Sequence, residues 1–184
     1  MKSESIHDYI LKNERNLGIA GAVGEAWPIV RGQIVSAFLD RLGAEMGKKL
    51  KGWQLEPYNT FFTDAYGKFF VWKPSWPEGY SVSLECVKYG QKMVFGLWRD
   101  EDMIRKREFY PDLLAAVQER FPSARSMAWW EAMVEMHSPA ADWREPKVLW
   151  RMHKDDEFLD EVSQQLLDFA KACAPIMGKM ATQR

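Results

Sequence analysis

The sequence has few of the residues that build catalytic and metal centres. Its 184 residues include only two cysteines and three histidines. Cys86 and Cys173 lie far apart, each in an apolar stretch, which favours buried thiols over a disulfide framework. The histidines form no HxxxH, HExxH or CxxC grouping, and no GxSxG motif is present. We therefore expect no metal, no cofactor and no nucleophilic catalytic centre.

Long apolar runs and an excess of charge of one sign are also missing. No segment reaches the roughly 18 apolar residues of a membrane span, and the first ten residues lack the apolar core of a signal peptide. The 25 basic and 26 acidic residues are mixed along the chain, whereas nonspecific nucleic-acid binders normally carry a basic excess. These absences predict a cytoplasmic protein without membrane association or nonspecific nucleic-acid binding.

What is present is an ordinary globular composition, 47% hydrophobic and 28% charged, at a length that suits one domain. Apolar residues recur about every four positions over 30–50 and again over 158–173. This spacing predicts a long N-proximal helix that begins near Pro28 and a closing helix from about Asp155.

The middle of the chain has strand patterning. Residues 66–72 and 93–98 are aromatic and β-prone, and apolar and polar residues alternate over 80–86. A tight turn at 89–91 joins the last two of these segments, so we expect an antiparallel meander. Residues 148–152 read as a further short strand, whereas 126–137 can be either a helix or a strand.

Together these patterns predict an α+β fold, with an antiparallel meander of three to four strands packed by a long N-proximal helix and a C-terminal helix. Gly18, Gly21 and Gly24 interrupt the pattern before the first long helix. We therefore divide the chain into an N-terminal extension (1–24), a single α+β domain (25–178) and a tail (179–184).

One set of residues formally matches a metal-dependent nuclease. Pro111-Asp112 followed by Glu145-Pro146-Lys147 has the order PD…(D/E)xK, in which two carboxylates hold a divalent cation and a lysine assists the attacking water. That chemistry needs adjoining strands, but Asp112 is predicted in the first turn of a helix and Pro146 would interrupt a ladder. A strand motif at Glu85 and Lys88 fails because its ExxK spacing points the two side chains to opposite faces, which leaves Glu85 as an exposed residue.

Tryptophan is abundant, and seven of the nine lie within 72–150. Most of these are expected in the core, because large aromatic side chains bury well. Residues 126–137 are more apolar than one buried stripe requires, which favours a contact surface for a partner protein. The alternative is that the two adjacent tryptophans pack under the 139–146 loop. The predicted partner-binding residues are Met127, Trp129, Trp130, Met133 and Met136.

The order of the aromatic segments resembles the C-terminal region of some proteins of the PD-(D/E)XK nuclease superfamily, over about residues 50–177. The resemblance is carried by Phe69-Phe70-Val71-Trp72-Lys73, the strand from Tyr80 to Cys86, Val94-Phe95-Gly96-Leu97-Trp98, Ser126-Met127-Ala128-Trp129-Trp130, Trp143 and the closing helix. In that family the nuclease signature belongs to an upstream domain, where this chain has only a helical segment. No catalytic residue carries over, so the resemblance implies a stand-alone accessory or recognition domain, in a phage or other mobile-element setting.

These observations predict a non-enzymatic protein-interaction or recognition module, acting in defence or counter-defence, with a protein as its partner. Two alternatives stay open at this point. One is a metal-dependent nuclease built on Asp112, Glu145 and Lys147. The other is an inhibitor of a host nucleic-acid or defence complex.

Overall fold

The computed structural model describes residues 5–57, 65–105, 110–137 and 140–182. These residues form six helices and a six-stranded antiparallel sheet. The helices are α1 (Ile6–Leu11), α2 (Glu14–Lys49), α3 (Glu101–Arg105), α4 (Pro111–Arg120), α5 (Pro146–Lys154) and α6 (Asp156–Thr182). The strands are β1 (Gln54–Pro57), β2 (Lys68–Trp72), β3 (Tyr80–Val87), β4 (Lys92–Arg99), β5 (Arg125–Met127) and β6 (Trp130–Glu135). None of the described helices is long and apolar enough to cross a membrane.

The predicted meander is present as β2, β3 and β4 within a larger sheet whose strand order is β1-β2-β3-β4-β6-β5. The α+β class is confirmed, but the sheet has six strands instead of three to four. The turn between β3 and β4 places Lys88, Tyr89 and Gly90 at φ values of 51°, 58° and 86°, so three successive residues adopt the left-handed conformation there. Only the third of them is a glycine, the residue that adopts it without strain.

After the meander, the structure decides between the two forms predicted for one segment and contradicts the strand predicted for another. Residues 126–137 are a β-hairpin, with β5 and β6 paired antiparallel. Residues 148–152 belong to helix α5 and not to a strand. The spacing explains this, because Val148, Leu149 and Met152 fall on one side of a helix and are all buried. Pro146 supplies a favourable first helical residue.

The N-terminal helix is longer than predicted. Helix α2 begins at Glu14 and not near Pro28, so the boundary predicted between residues 24 and 25 falls inside a continuous helix. Pro28 is tolerated because this part of α2 is exposed, and the carbonyl that loses its helical partner can bond to water. Helix α6 likewise continues through the predicted tail to residue 182. Residues 1–4 of the extension and 183–184 of the tail lie outside the described residues.

The main core lies between the sheet and the layer formed by α2, α4, α5 and α6. Phe38 from α2 contacts Trp143 and Phe158 with ring centroids 5.5 Å apart in both pairs. Cys86 and Cys173 are buried free thiols. Burial raises the pKa of Cys86 to about 11 and also raises the pKa of Cys173, because the interior disfavours a thiolate.

Candidate binding groove

The sheet face turned away from the helices carries a concave site, a groove of about 620 Å³. We call it the groove. Its floor is a small apolar cluster separate from the main core, in which Trp130, Val94 and Met133 are buried and Val87 is half-buried. The lining residues are Tyr66, Lys68, Glu85, Val87, Lys92, Val94, Arg125, Met127, Ala128, Trp129, Trp130, Met133 and Glu135.

A row of aromatic rings crosses the sheet beside the groove. The ring of Phe70 on β2 meets the ring of Trp98 on β4 at 5.5 Å, edge to face. The rings of Trp98 and Trp129 are nearly parallel, with an interplanar angle of 8° and centroids 6.4 Å apart. The Lys68 ammonium lies 4.5 Å from the Trp98 ring centroid, within cation–π range. Trp129 is 44% exposed, so the last ring of the row remains available to a ligand.

Gly96 makes room for the tryptophan in the floor. A side-chain carbon at this position of β4 would lie 3.0 Å from the ring of Trp130 and 2.8 Å from the α-carbon of Met133. Both approaches are closer than ordinary van der Waals contact. The absence of a side chain at Gly96 therefore lets the β6 backbone and Trp130 lie close to β4 in the middle of the sheet.

A buried ion pair holds the turn that carries Trp129. The Arg99 guanidinium donates hydrogen bonds to the carbonyl oxygens of Met127 and Ala128 at 3.2 and 2.7 Å. It lies 3.5 Å from the Glu131 carboxylate, and both side chains are almost fully buried. The backbone N–H of Tyr110 donates to the same carboxylate at 2.6 Å. Burial raises the pKa of Glu131, while the Tyr110 N–H and Arg99 act in the opposite direction.

The charged side chains of the groove are all paired with one another. Lys68 and Glu85 are cross-strand partners on β2 and β3, 3.4 Å apart. Glu135 accepts from Lys92 at 2.7 Å and also binds Arg125. The hydrogen bond from Lys92 holds the pKa of Glu135 below its ordinary value, whereas burial raises the pKa of Glu85 despite Lys68. The groove therefore has an apolar floor and a rim of three basic and two acidic side chains, each with an oppositely charged neighbour.

The predicted partner-binding residues fall on both faces of the sheet. Met127, Trp129, Trp130 and Met133 line the groove. Met136 does not, because it follows β6 and is buried in the main core. Strand alternation separates Met133 from Met136, since neighbouring residues of a strand point to opposite faces. Trp130 joins Met133 on the groove face because the register between β4 and β6 shifts at Leu97 and Trp98.

Glu85 is not the exposed residue predicted from its strand. It is buried on the groove side and binds Lys68, whereas Lys88 is exposed in the turn after β3. The cross-strand register that joins Lys68 to Glu85 was not visible in the sequence. Neither was the proximity of Val87, Val94 and Arg125, which come from three strands. Within the sequence, only the alternation of β3 pointed to this face of the sheet. It places Glu85 and Val87 on the face opposite Leu84 and Cys86.

None of the three candidate nuclease residues lies on a strand of the sheet. Asp112 is in the first turn of α4, Glu145 caps the N-terminus of α5, and Lys147 is in α5. All three are exposed. Within the described part of the chain, no three His, Cys, Asp or Glu side chains are close enough together to hold a metal ion.

Comparison with protein-family models, with curated protein sequences and with solved structures gives no match for this chain.

Proposed function

We propose that this protein is a non-enzymatic recognition module that binds a neutral, apolar segment of a partner protein in the groove. One observation carries the proposal. The groove has an apolar floor with a half-exposed tryptophan at its edge, and each of its five charged side chains already has an oppositely charged neighbour within 4 Å.

The ion pairs of the groove bear on the class of ligand. A phosphate or a nucleic-acid backbone requires basic side chains that are free to bind it. Lys68 is paired with Glu85, and Lys92 and Arg125 share Glu135, so an anion would compete with a carboxylate at each of these three side chains. An uncharged apolar group instead gains by displacing water from the tryptophan and methionine side chains without breaking an ion pair.

The shape of the site fits a short protein segment. Its volume of about 620 Å³ lies within the range of concave binding sites and accommodates several side chains. Tryptophan is enriched among interface hot spots, which favours Trp129 as a contact residue, and the flexible thioether of the exposed Met127 can adapt to the shape of a partner. An inhibitor of a host nucleic-acid or defence complex would be a special case of this proposal, with that complex as the partner.

The test uses one matched pair of variants, Trp129→Ala in the groove and Trp150→Ala on α5. Trp150 is 63% exposed and is not part of the groove. The tagged wild type and both variants are used to capture proteins from the native cell, and the affinity for the captured protein is then measured by calorimetry. We expect the wild type and Trp150→Ala to bind the same protein equally. Trp129→Ala should bind it about 30-fold more weakly, corresponding to the ~2 kcal/mol of a hot spot.

The variant must keep its fold for this result to count, so the melting temperature of Trp129→Ala is compared with that of the wild type. Equal capture by all three proteins would overturn the proposal, as would equal losses in the two variants. A small apolar metabolite that co-purifies with the wild type and fills the groove would also overturn it. Mg²⁺-dependent cleavage of DNA or RNA that Glu145→Ala abolishes would instead support the nuclease alternative.

A further inference from the structure

The turn between β5 and β6 lacks the features with which a tight hairpin closes itself. Its two residues are Ala128 and Trp129, and the flanking Met127 and Trp130 are a cross-strand pair. Two-residue hairpin loops favour conformations with a positive φ at one or both positions, because these match the twist of the strands. Neither Ala128 nor Trp129 has a positive φ. The backbone of this turn therefore needs support from elsewhere in the fold.

The turn between β3 and β4 shows the contrast. Residues 88–90 all have positive φ values, and the N–H of Gln91 donates to the carbonyl oxygen of Lys88 at 3.3 Å. That turn is closed by its own backbone and joins two strands of eight residues each. Strand β5, by comparison, has three residues and lies at an edge of the sheet, so its ladder gives the second turn little support.

Arg99 on β4 supplies the missing support. Its guanidinium donates hydrogen bonds to the carbonyl oxygens of Met127 and Ala128 at 3.2 and 2.7 Å. Its backbone N–H donates to the carbonyl oxygen of Trp129 at 3.0 Å. One residue thus binds three successive carbonyl oxygens of the hairpin, and the planar guanidinium presents its donors in a rigid arrangement. These bonds fix the backbone from which the Trp129 side chain extends, parallel to the ring of Trp98.

The buried ion pair is a poor source of stability for the fold. Arg99 and Glu131 are each only 1% exposed. Taking two charges out of water costs free energy that their mutual attraction often fails to exceed, and replacing both partners of such a pair by uncharged side chains is often neutral or stabilising. What the pair does contribute is a fixed geometry. Glu131 holds the guanidinium in place from one side, and the turn accepts its hydrogen bonds on the other.

We propose that Arg99 is a positioning residue of the groove, and that its pair with Glu131 fixes the orientation of Trp129 instead of stabilising the fold. Residues 127–129 are exposed, so without the guanidinium their carbonyl oxygens would bond to water and the turn would change its conformation. Trp129 would then leave its place beside Trp98. The effect on binding rests on the proposed function of the groove, whereas the effect on the turn does not.

The first measurement removes both charges together. In the double variant Arg99→Met/Glu131→Gln, the glutamine keeps an oxygen that can accept from the backbone N–H of Tyr110. We expect this variant to melt within about 4 °C of the wild type. Arg99→Met alone leaves a buried carboxylate without its cation and should melt roughly 10 °C lower. A double variant that melts as low as Arg99→Met would overturn the proposal, because the pair would then stabilise the fold.

The second measurement follows the orientation of Trp129 through its indole N–H signal in a nitrogen–proton correlation NMR spectrum. The spectrum of Trp129→Ala identifies this signal by its loss. In the double variant we expect the signal to move toward the position of an unconstrained tryptophan, because the ring no longer lies beside Trp98. Leu166→Ala is the control for lower stability, since Leu166 is buried in the main core, and it should keep the wild-type signal. An unchanged signal in the double variant, or an equal displacement in Leu166→Ala, would overturn the proposal.

The third measurement is binding of the neutral fluorescent probe N-phenyl-1-naphthylamine to the groove. We expect the double variant to bind the probe about 10-fold more weakly than the wild type, while Leu166→Ala binds it equally. Wild-type affinity in the double variant would overturn the role of Arg99. Failure of the wild type to bind the probe, or equal binding by Trp129→Ala, would count against the proposed function alone. In that case the NMR signal of Trp129 still decides whether Arg99 positions the turn.

Discussion

The two faces of the sheet are made by the same strands but have different surroundings. On one face, β3 and β4 place Val82, Leu84, Phe95 and Leu97 under a layer of helices. On the other face, no described helix packs over the groove, and the aromatic rings there contact one another and the sheet. The comparison indicates that the first face stabilises the fold, while the second retains apolar surface that a ligand can cover.

The largest effect is expected from a tryptophan on the helix-covered side. Trp143 is 0% exposed and its ring meets that of Phe38 edge to face. We expect Trp143→Ala to lower the free energy of unfolding by about 3–5 kcal/mol, because it removes a large buried side chain and leaves a cavity. Urea denaturation followed by circular dichroism measures this. Trp150→Ala is the control and should change stability by less than about 0.5 kcal/mol.

A smaller loss is expected from the buried tryptophan of the groove floor. Trp130 is 5% exposed and packs on Val94 and Met133. We expect Trp130→Ala to cost about 2–3 kcal/mol, less than the core substitution, because the space it leaves opens to the groove and can fill with water. The same denaturation experiment compares the two variants. A loss equal to that of Trp143→Ala would show that the two faces of the sheet contribute equally to stability, contrary to this prediction.

The smallest effect concerns the charge buried at the edge of the groove. Burial raises the pKa of Glu85 in the folded protein, and Lys68 offsets part of the shift. The pKa of this carboxyl group is higher in the folded protein than in the unfolded chain, so its ionisation favours the unfolded chain. Its contribution to the free energy of unfolding therefore falls as the pH rises from the unfolded pKa through the folded pKa. We therefore expect Glu85→Gln to become more stable relative to the wild type between pH 4 and pH 7.

Free energies of unfolding of both proteins across this range check the prediction for Glu85. Glu131, whose pKa is also raised by burial, is present in both proteins, so its contribution cancels in the difference. A difference that stays constant or shrinks with rising pH would show that Lys68 compensates the burial of Glu85 completely.

Local patterns in the sequence were sufficient for much of the fold. The alternation over 80–86 identified β3 and its core side, and the four-residue spacing over 158–173 identified α6 with its buried face. These assignments succeed because residues two apart on a strand, and three or four apart on a helix, share a face whatever they pack against. Residues 148–152 were predicted as a strand but belong to a helix. The prediction was wrong because so short an apolar run fits both the two-residue period of a strand and the 3.6-residue period of a helix.

By itself, the sequence determined the α+β class, the central meander, the closing helix and the apolar character of residues 126–137. Only the tertiary structure decided that Met127, Trp129, Trp130 and Met133 line one groove while Met136 joins the core. It also paired Lys68 with Glu85 and placed Arg99 beneath the turn that carries Trp129. The physical reason is that these contacts depend on cross-strand register and on which face the helices cover, and both are set by packing between segments far apart in the chain.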